Sequence, residues 1–206
     1  MNSSNAATAE ARGVNDHALS IIFRDARTRN GWLDRPVPEE LLRKIFADAI
    51  MGPTTVNSLP LRIAFVTTEG TKQRLAPALD AGNLKKTMQA PVTAIFAFDT
   101  RFYDLLVKTF PHQPAARSWF EGNEPKIYES AFRNATLQAA YFMLAARAHG
   151  LDCGPMSGFD QAKVNAEFFP DGRWRANFIC SLGYGSEENL FPRSPRLSFD
   201  EVCRID

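Results

Sequence analysis

Five short segments gather groups able to hold an anion or a polar cofactor: "DARTRNGW" at 25–32, "GPTTVNSLP" at 52–60, "AGNLKK" at 81–86, "GPMSGFD" at 154–160 and "PRSPRLSFDE" at 192–201. Arginine forks suit phosphate oxygens, and hydroxyls and amides hydrogen-bond a polar ligand. In the second segment Pro53 and Pro60 fix φ at both ends of a stretch holding Thr54, Thr55 and Asn57. A turn between a helix and a strand needs far less. Each segment also has a plain alternative: Arg27 and Arg29 as solvated charges, "AGN" as a turn, "PMSGFD" as a loop ending in a helix cap at Asp160, Arg193 and Arg196 as surface ion-pair partners. Their combination favours a binding site.

Other chemistries are not supported. Lysine plus arginine number 24 and aspartate plus glutamate 23 in 206 residues, a formal net charge of +1. That leaves no bulk field for a nucleic acid or an anionic membrane, so an anion must be held locally. The chain has no G-x-G-x-x-G after a strand, no P-loop and no G-x-S-x-G elbow. His17, His112 and His149 lack metal-ligand spacing, so no metal is expected. Cys153, Cys180 and Cys203 match neither C-x-x-C nor an even disulfide set, and read as small buried hydrophobes in a reduced compartment. The hard chemistry therefore falls to a cofactor.

These segments need elements to position them. Leu19, Ile22, Phe23 and Ala26 recur at helical spacing, as do Leu41, Leu42, Ile45, Phe46 and Ala49 in a helix opened by Pro38 and closed by Gly52-Pro53. Alternation at 61–66 predicts a strand, and the apolar run from Val92 predicts one buried on both faces. Asn123 can cap a long helix over 124–149 with Ile127, Ala131, Ala135, Ala139, Phe142 and Ala146 as its stripe. Its second half, "AAYFMLAA", is apolar almost all round, which points to the centre of the molecule or a subunit interface. "LDCGPM" and "ANFICSLGYG" predict two more strands with a short helix at 161–168 between them. The order, with a single helix between the first two strands, argues α+β layers. Residues 1–13 read as a disordered tail without a secretion signal, ahead of one domain over 14–206, and no stretch is long enough to span a bilayer. A soluble cytoplasmic protein is expected.

From about residue 16 onward the ordered set resembles the FMN-dependent nitroreductase family. "PTTVNSLP" is similar to its P-S-S-x-N-S-Q-P segment, "GPMSGFD" to its P-x-E-G-F-D loop and "GNLKK" to its N-x-x-K pair. "AFRNATLQAAYFMLAARAHGLDC" resembles its core helix and following strand, and "PRSPRLSFDE" its basic tail. "DARTRNGW", "GNLKKTMQAPVTAIFAFD", "RSWF" and "PRLSFDE" resemble the subgroup containing malonic semialdehyde reductase of the Rut pyrimidine-degradation pathway.

The resemblance implies a nitroreductase-like α+β fold with a central, mainly antiparallel sheet flanked by helices, the long helix at a homodimer interface, and FMN reduced by NADH or NADPH. It implies that Pro53, Thr54, Thr55 and Asn57 form a ledge along the flavin. Arg27, Thr28, Asn30, Arg193 and Arg196 would hold its phosphate end, and Asn83 and Lys86 the N1 edge. Pro155, Met156, Ser157 and Gly158 would form the loop at N5, with a backbone N–H of Ser157 or Gly158 as donor. Ser157, Gly158 and Lys86 are thus the candidate catalytic groups. The expected reaction is ping-pong reduction of a small carbonyl compound such as malonic semialdehyde, with nitroaromatics or quinones as the alternative acceptors and a flavin binder without turnover as the other reading. The insert at 100–123 is expected to form a lid in which Arg117 meets a substrate carboxylate. Leu59 stands where glutamine is usual in the family, Leu61 where tryptophan is common, Ser157 for glutamate and Ala26 for an arginine.

Overall fold

In the computed structural model, which describes residues 13–206, α1 (Asp16–Leu19) runs into a π turn at Ser20–Arg24. There follow α2 (Glu39–Ala49), β1 (Leu61–Val66), α3 (Glu69–Leu75), α4 (Ala81–Gln89) and β2 (Val92–Asp99). Then come α5 (Leu106–Thr109), α6 (Glu124–Ala148), β3 (Asp152–Met156), α7 (Gln161–Phe168), β4 (Trp174–Gly183) and α8 (Phe199–Val202). The tail expected over 1–13 lies, except for Gly13, outside the described residues.

Local chemistry sets these boundaries. The Asn123 side chain accepts from the Lys126 amide and Pro125 occupies the first turn, so α6 begins there. Asp160 caps α7 through the Lys163 amide at 3.0 Å, and Thr68 and Thr71 form a reciprocal box at the start of α3.

The four strands form one antiparallel sheet in the order β1-β2-β4-β3, so β1 and β3 are its two edges. Every residue of β2 is buried. Ala94, Phe96 and Phe98 face a core with Ala131, Ala135, Ala139 and Phe142 of α6. Ile95 and Ala97 face a second core with Leu75, Ala78, Val164 and Phe169. Fully burying each large apolar side chain contributes about 1.5–3 kcal/mol.

The expected α6 stripe is the buried one, from Ile127 to Ala146. On the opposite side, Leu137 and Tyr141 stay exposed in the single chain. Between β1 and β2 the chain forms two helices instead of the one expected, because Pro77 removes a donor and Ala76–Ala78 tightens to a 3-10 turn. Cys153 and Cys180 are buried, and burial beside Cys153 pushes the Cys180 thiol well up. Cys203 is exposed, contrary to expectation, because it follows α8 in a tail that carries no core. No described helix is long and apolar enough to cross a membrane.

Candidate functional site

Asn83 and Lys86 are three residues apart on α4 and so share a face. Asn83 Nδ2 donates to the Gly158 carbonyl at 2.7 Å, as does the Asp80 amide at 3.2 Å. A Cβ on Gly158 would lie 2.5 Å from Asn83 Nδ2 and 2.8 Å from Asp80 Oδ2, so a side chain there would have to push both of these side chains off the loop. The Gly158 amide donates to no described residue. Ser157 beside it is exposed, and Met156 accepts from Thr87 Oγ1 at 3.4 Å. The loop that starts at Pro155 is thereby clamped on α4 with one donor left over.

Lys86 Nζ reaches Asn30 Oδ1 at 3.3 Å, and Trp32 Nε1 donates to the Lys86 carbonyl at 2.9 Å. This joins α4 to residues 27–32, which also lie along β3: Thr28 pairs with Cys153 and the Arg29 amide donates to the Cys153 carbonyl at 3.1 Å. The tail after β4 runs back over the same segment. Asn30 Nδ2 donates to the Asn189 carbonyl at 3.3 Å, Arg27 to the Phe191 carbonyl, and Arg193 to the carbonyls of Arg24 and Ala26 at 2.5 and 3.0 Å.

Arg29 has a different task from its neighbours. It bridges Asp152 at 3.4 Å and Glu187 at 3.1 Å. Burial opposes its charge, but the bond to Glu187 and the field of Asp152 outweigh that and raise its pKa. Arg29 is therefore a clamp on the tail. Arg27, Lys86, Arg193 and Arg196 have no carboxylate within 4.0 Å among the described residues. Arg196 bonds only to the carbonyls of Ser194 and Pro195 at 2.9 and 3.2 Å, apart from the rest.

The 53–60 segment is strained. Val56, Asn57 and Leu59 have φ of 48°, 49° and 42°, a region costing about 1–3 kcal/mol per residue and most unusual for a β-branched one. Two buried amides of α6, four residues apart, hold it. Asn134 Oδ1 accepts from the Thr55 amide at 2.8 Å, and Gln138 Oε1 from the Leu61 amide at 3.0 Å. The Leu59 amide donates to Thr54 Oγ1 at 3.2 Å, and Asn57 Nδ2 to the Thr109 carbonyl at 2.7 Å. A Cβ on Gly52 would lie 2.6 Å from the Tyr141 ring, so glycine lets the segment start hard against α6. Replacing Asn134 with alanine leaves the Thr55 amide without its partner. The expected loss is about 1–3 kcal/mol, read as a lower denaturation midpoint together with a looser 53–60 segment under hydrogen exchange.

The chain thus brings Arg27, Thr28, Asn30, Asn83, Lys86, Pro155, Met156, Ser157, Gly158 and Arg193 into one cluster beside edge strand β3. It places Pro53, Thr54, Thr55 and Asn57 before β1, at the opposite edge of the sheet. No hydrogen bond among the described residues joins the two groups. Arg117 is in neither: Asp104 at 3.3 Å and Glu121 at 2.9 Å both hold it. The insert around it is anchored in the core through Phe102, Leu106, Ala116 and Phe120, with the rings of Phe102 and Phe120 5.0 Å apart. Trp32, Asn134 and Gln138 escape the sequence reading. Two amides at helical spacing inside the apolar run "NATLQAA" were the available signal for the last two.

The Nitroreductase family pattern matches residues 27–184. A protein of Ralstonia nicotianae named NADH dehydrogenase/NAD(P)H nitroreductase RSc1004 is 52% identical over 187 residues, 91% of this chain and 95% of its own. HadB of Ralstonia pickettii, similarly named, is 53% identical over 190 residues, 91% and 97% of the two chains. The fold is shared with a protein from Exiguobacterium sibiricum named as a nitroreductase and solved in complex with FMN. Its TM-score is 0.83 at 19% identity, over 95% of this chain and 99% of that one. The chain belongs to the nitroreductase family.

Proposed function

We propose that two copies of this chain build a site for FMN and catalyse NAD(P)H-dependent reduction of a small carbonyl compound, malonic semialdehyde to 3-hydroxypropionate. The observation that carries the reading is a set of cations without carboxylate partners, Arg27, Lys86 and Arg193, on the segments that run from the tail through Asn30 and α4 to the loop with the spare Gly158 amide. An anionic phosphate and an electron-poor ring fit that donor set. Bound there, FMN supplies the ability to take a hydride from one molecule and give it to another.

This chain's residues do the rest. Arg27 and Arg193, with Thr28, Asn30 and Arg196, hold the phosphate end. The Lys86 ammonium favours negative charge at the ring edge it meets, Asn83 fixes the Gly158 loop, and the Ser157–Gly158 backbone supplies a donor. Pro53, Thr54, Thr55 and Asn57 come from the second copy, because in one chain they lie at the far edge of the sheet. The exposed Leu137 and Tyr141 of α6 give that copy an apolar face. The sum of the two half-reactions is NAD(P)H plus a proton plus an aldehyde giving NAD(P)+ plus an alcohol. Three unpaired cysteines suit a reduced, cytoplasmic setting.

The purified protein incubated with FMN should be yellow, elute as a dimer and bleach on addition of NADH or NADPH. A colourless protein that gains no flavin absorbance overturns the reading. Bound flavin that does not bleach reduces the protein to a binder, as the serine at 157 would allow. The names borne by relatives 52–53% identical favour a second acceptor class, nitroaromatics and quinones. Comparing turnover of malonic semialdehyde with that of a nitrofuran separates the two.

A further inference from the structure

A cleft of about 260 Å³ opens between the strained segment at Thr55 and Val56, the insert at Trp119 and Phe120, and the first turns of α6. It is smaller than the ~300–1,000 Å³ typical of sites for drug-sized ligands, and is a size for a few-carbon molecule. Its charged residues are Lys126, Glu129 and Arg133. Arg133 pairs with Glu129 along the helix, which leaves Lys126 as the unbalanced charge. Its ammonium sits 5.1 Å over the Phe120 ring, and no described carboxylate lies within 4.0 Å of it.

We propose that Lys126 is the carboxylate handle of the active site and selects small acidic carbonyl substrates over neutral ones. This rests on the flavin-site reading above and names the substrate class of that site. Arg117, the nearest competitor, is already neutralised by Asp104 and Glu121 and lines a different depression, with Arg101, Tyr103 and Pro114. Lys126 differs in both respects. Its cleft includes Thr55 and Val56, part of the segment that meets the cofactor, so an acid gripped at Lys126 has its other end directed at that segment. Phe120 steadies the ammonium from one face without neutralising it, and Trp119 supplies an apolar wall for a short carbon chain. An ion pair in so open a cleft is screened by salt, so the selectivity itself should fade with ionic strength.

The test uses the FMN-loaded dimer with two acceptors, malonic semialdehyde and a neutral quinone, at low and high salt. In Lys126→Gln, KM for malonic semialdehyde should rise about tenfold with kcat and quinone turnover near wild type. Lys126→Arg should recover most of the loss, and high salt should narrow the gap between Lys126→Gln and wild type. Equal losses on both acceptors, no loss on either, or a selective loss in Arg117→Gln with Lys126→Gln at the wild-type KM would each overturn the proposal. A wild type that turns over quinone but not malonic semialdehyde does the same while leaving the oxidoreductase reading intact. A wild type that reduces neither acceptor and binds no flavin removes that reading, and this inference with it.

Discussion

Replacing Lys86 with methionine should slow reduction of the bound cofactor by NADH by about 10²–10³-fold, the loss that follows removal of one well-placed electrostatic donor. The methionine keeps most of the stem's length and takes away the charge. Nothing else should move much: Lys86 Nζ has one hydrogen-bond partner among the described residues, Asn30 Oδ1 at 3.3 Å, and no carboxylate is orphaned by its loss. The backbone at 86 stays fixed by Trp32 Nε1 through the carbonyl. Stopped-flow bleaching at saturating FMN separates this effect from weaker cofactor binding. Reduction at the wild-type rate in Lys86→Met would remove Lys86 from the chemistry and move the search for a charge to Arg27.

The architecture was legible where the apolar pattern maps directly onto burial. The α6 stripe names the face that meets the core, the continuous apolar run of β2 names a strand buried on both faces, and Leu61, Ile63 and Phe65 of β1 share one core. What the sequence left open depended on three dimensions. "AGNLKK" allows a turn as well as a helix because Gly82 and the two lysines carry no apolar period, yet Asp80 and the clamp on Gly158 fix it as the first part of α4. Arg27 and Arg29 look alike in sequence. The structure gives the first a carbonyl and the second two carboxylates, and only β3, through Asp152, and the tail, through Glu187 and Phe191, decide which is which. Asn134 and Gln138 appear as polar interruptions of an apolar helix, and their role exists only because the 53–60 backbone passes over them.

The splitting of the candidate residues between two sheet edges has the same origin. Sequence order and residue type say that 53–57 and 83–86 are both polar and both flank strands, but strand order decides whether they can meet. With β1 and β3 at opposite edges, a single chain presents two prepared halves, and each is already rigid: one through α4 and the tail, the other through α6. In the two-copy site proposed above, such preorganisation lowers the ordering cost of ligand binding and makes the site depend on assembly. Dilution below the dissociation constant of the proposed dimer should therefore release FMN.

Asp99→Ala should destabilise the protein by about 3–5 kcal/mol, the loss typical when one member of a buried ionic cluster is removed. Asp99 is fully buried at the end of β2 and accepts from Arg62 at 2.6 Å, from Arg173 through two bonds of 3.0 Å, and from the Arg101 amide at 2.8 Å. Without it the Arg62 side chain, 17% exposed, keeps a charge with no counterpart. The damage reaches the candidate site, because the same guanidinium donates to the carbonyls of Leu59 and Leu61 at 3.1 and 2.8 Å. Those bonds hold the strained end of the 53–60 segment where it enters β1. Urea denaturation should show the loss in stability, and FMN titration of the still-folded fraction should show weaker binding as well. Asp99→Asn, which keeps an acceptor oxygen but not the charge, should fall between the two. If Asp99→Ala unfolds within about 1 kcal/mol of wild type, the cluster relaxes into water on mutation and the 53–60 segment is held by α6 alone.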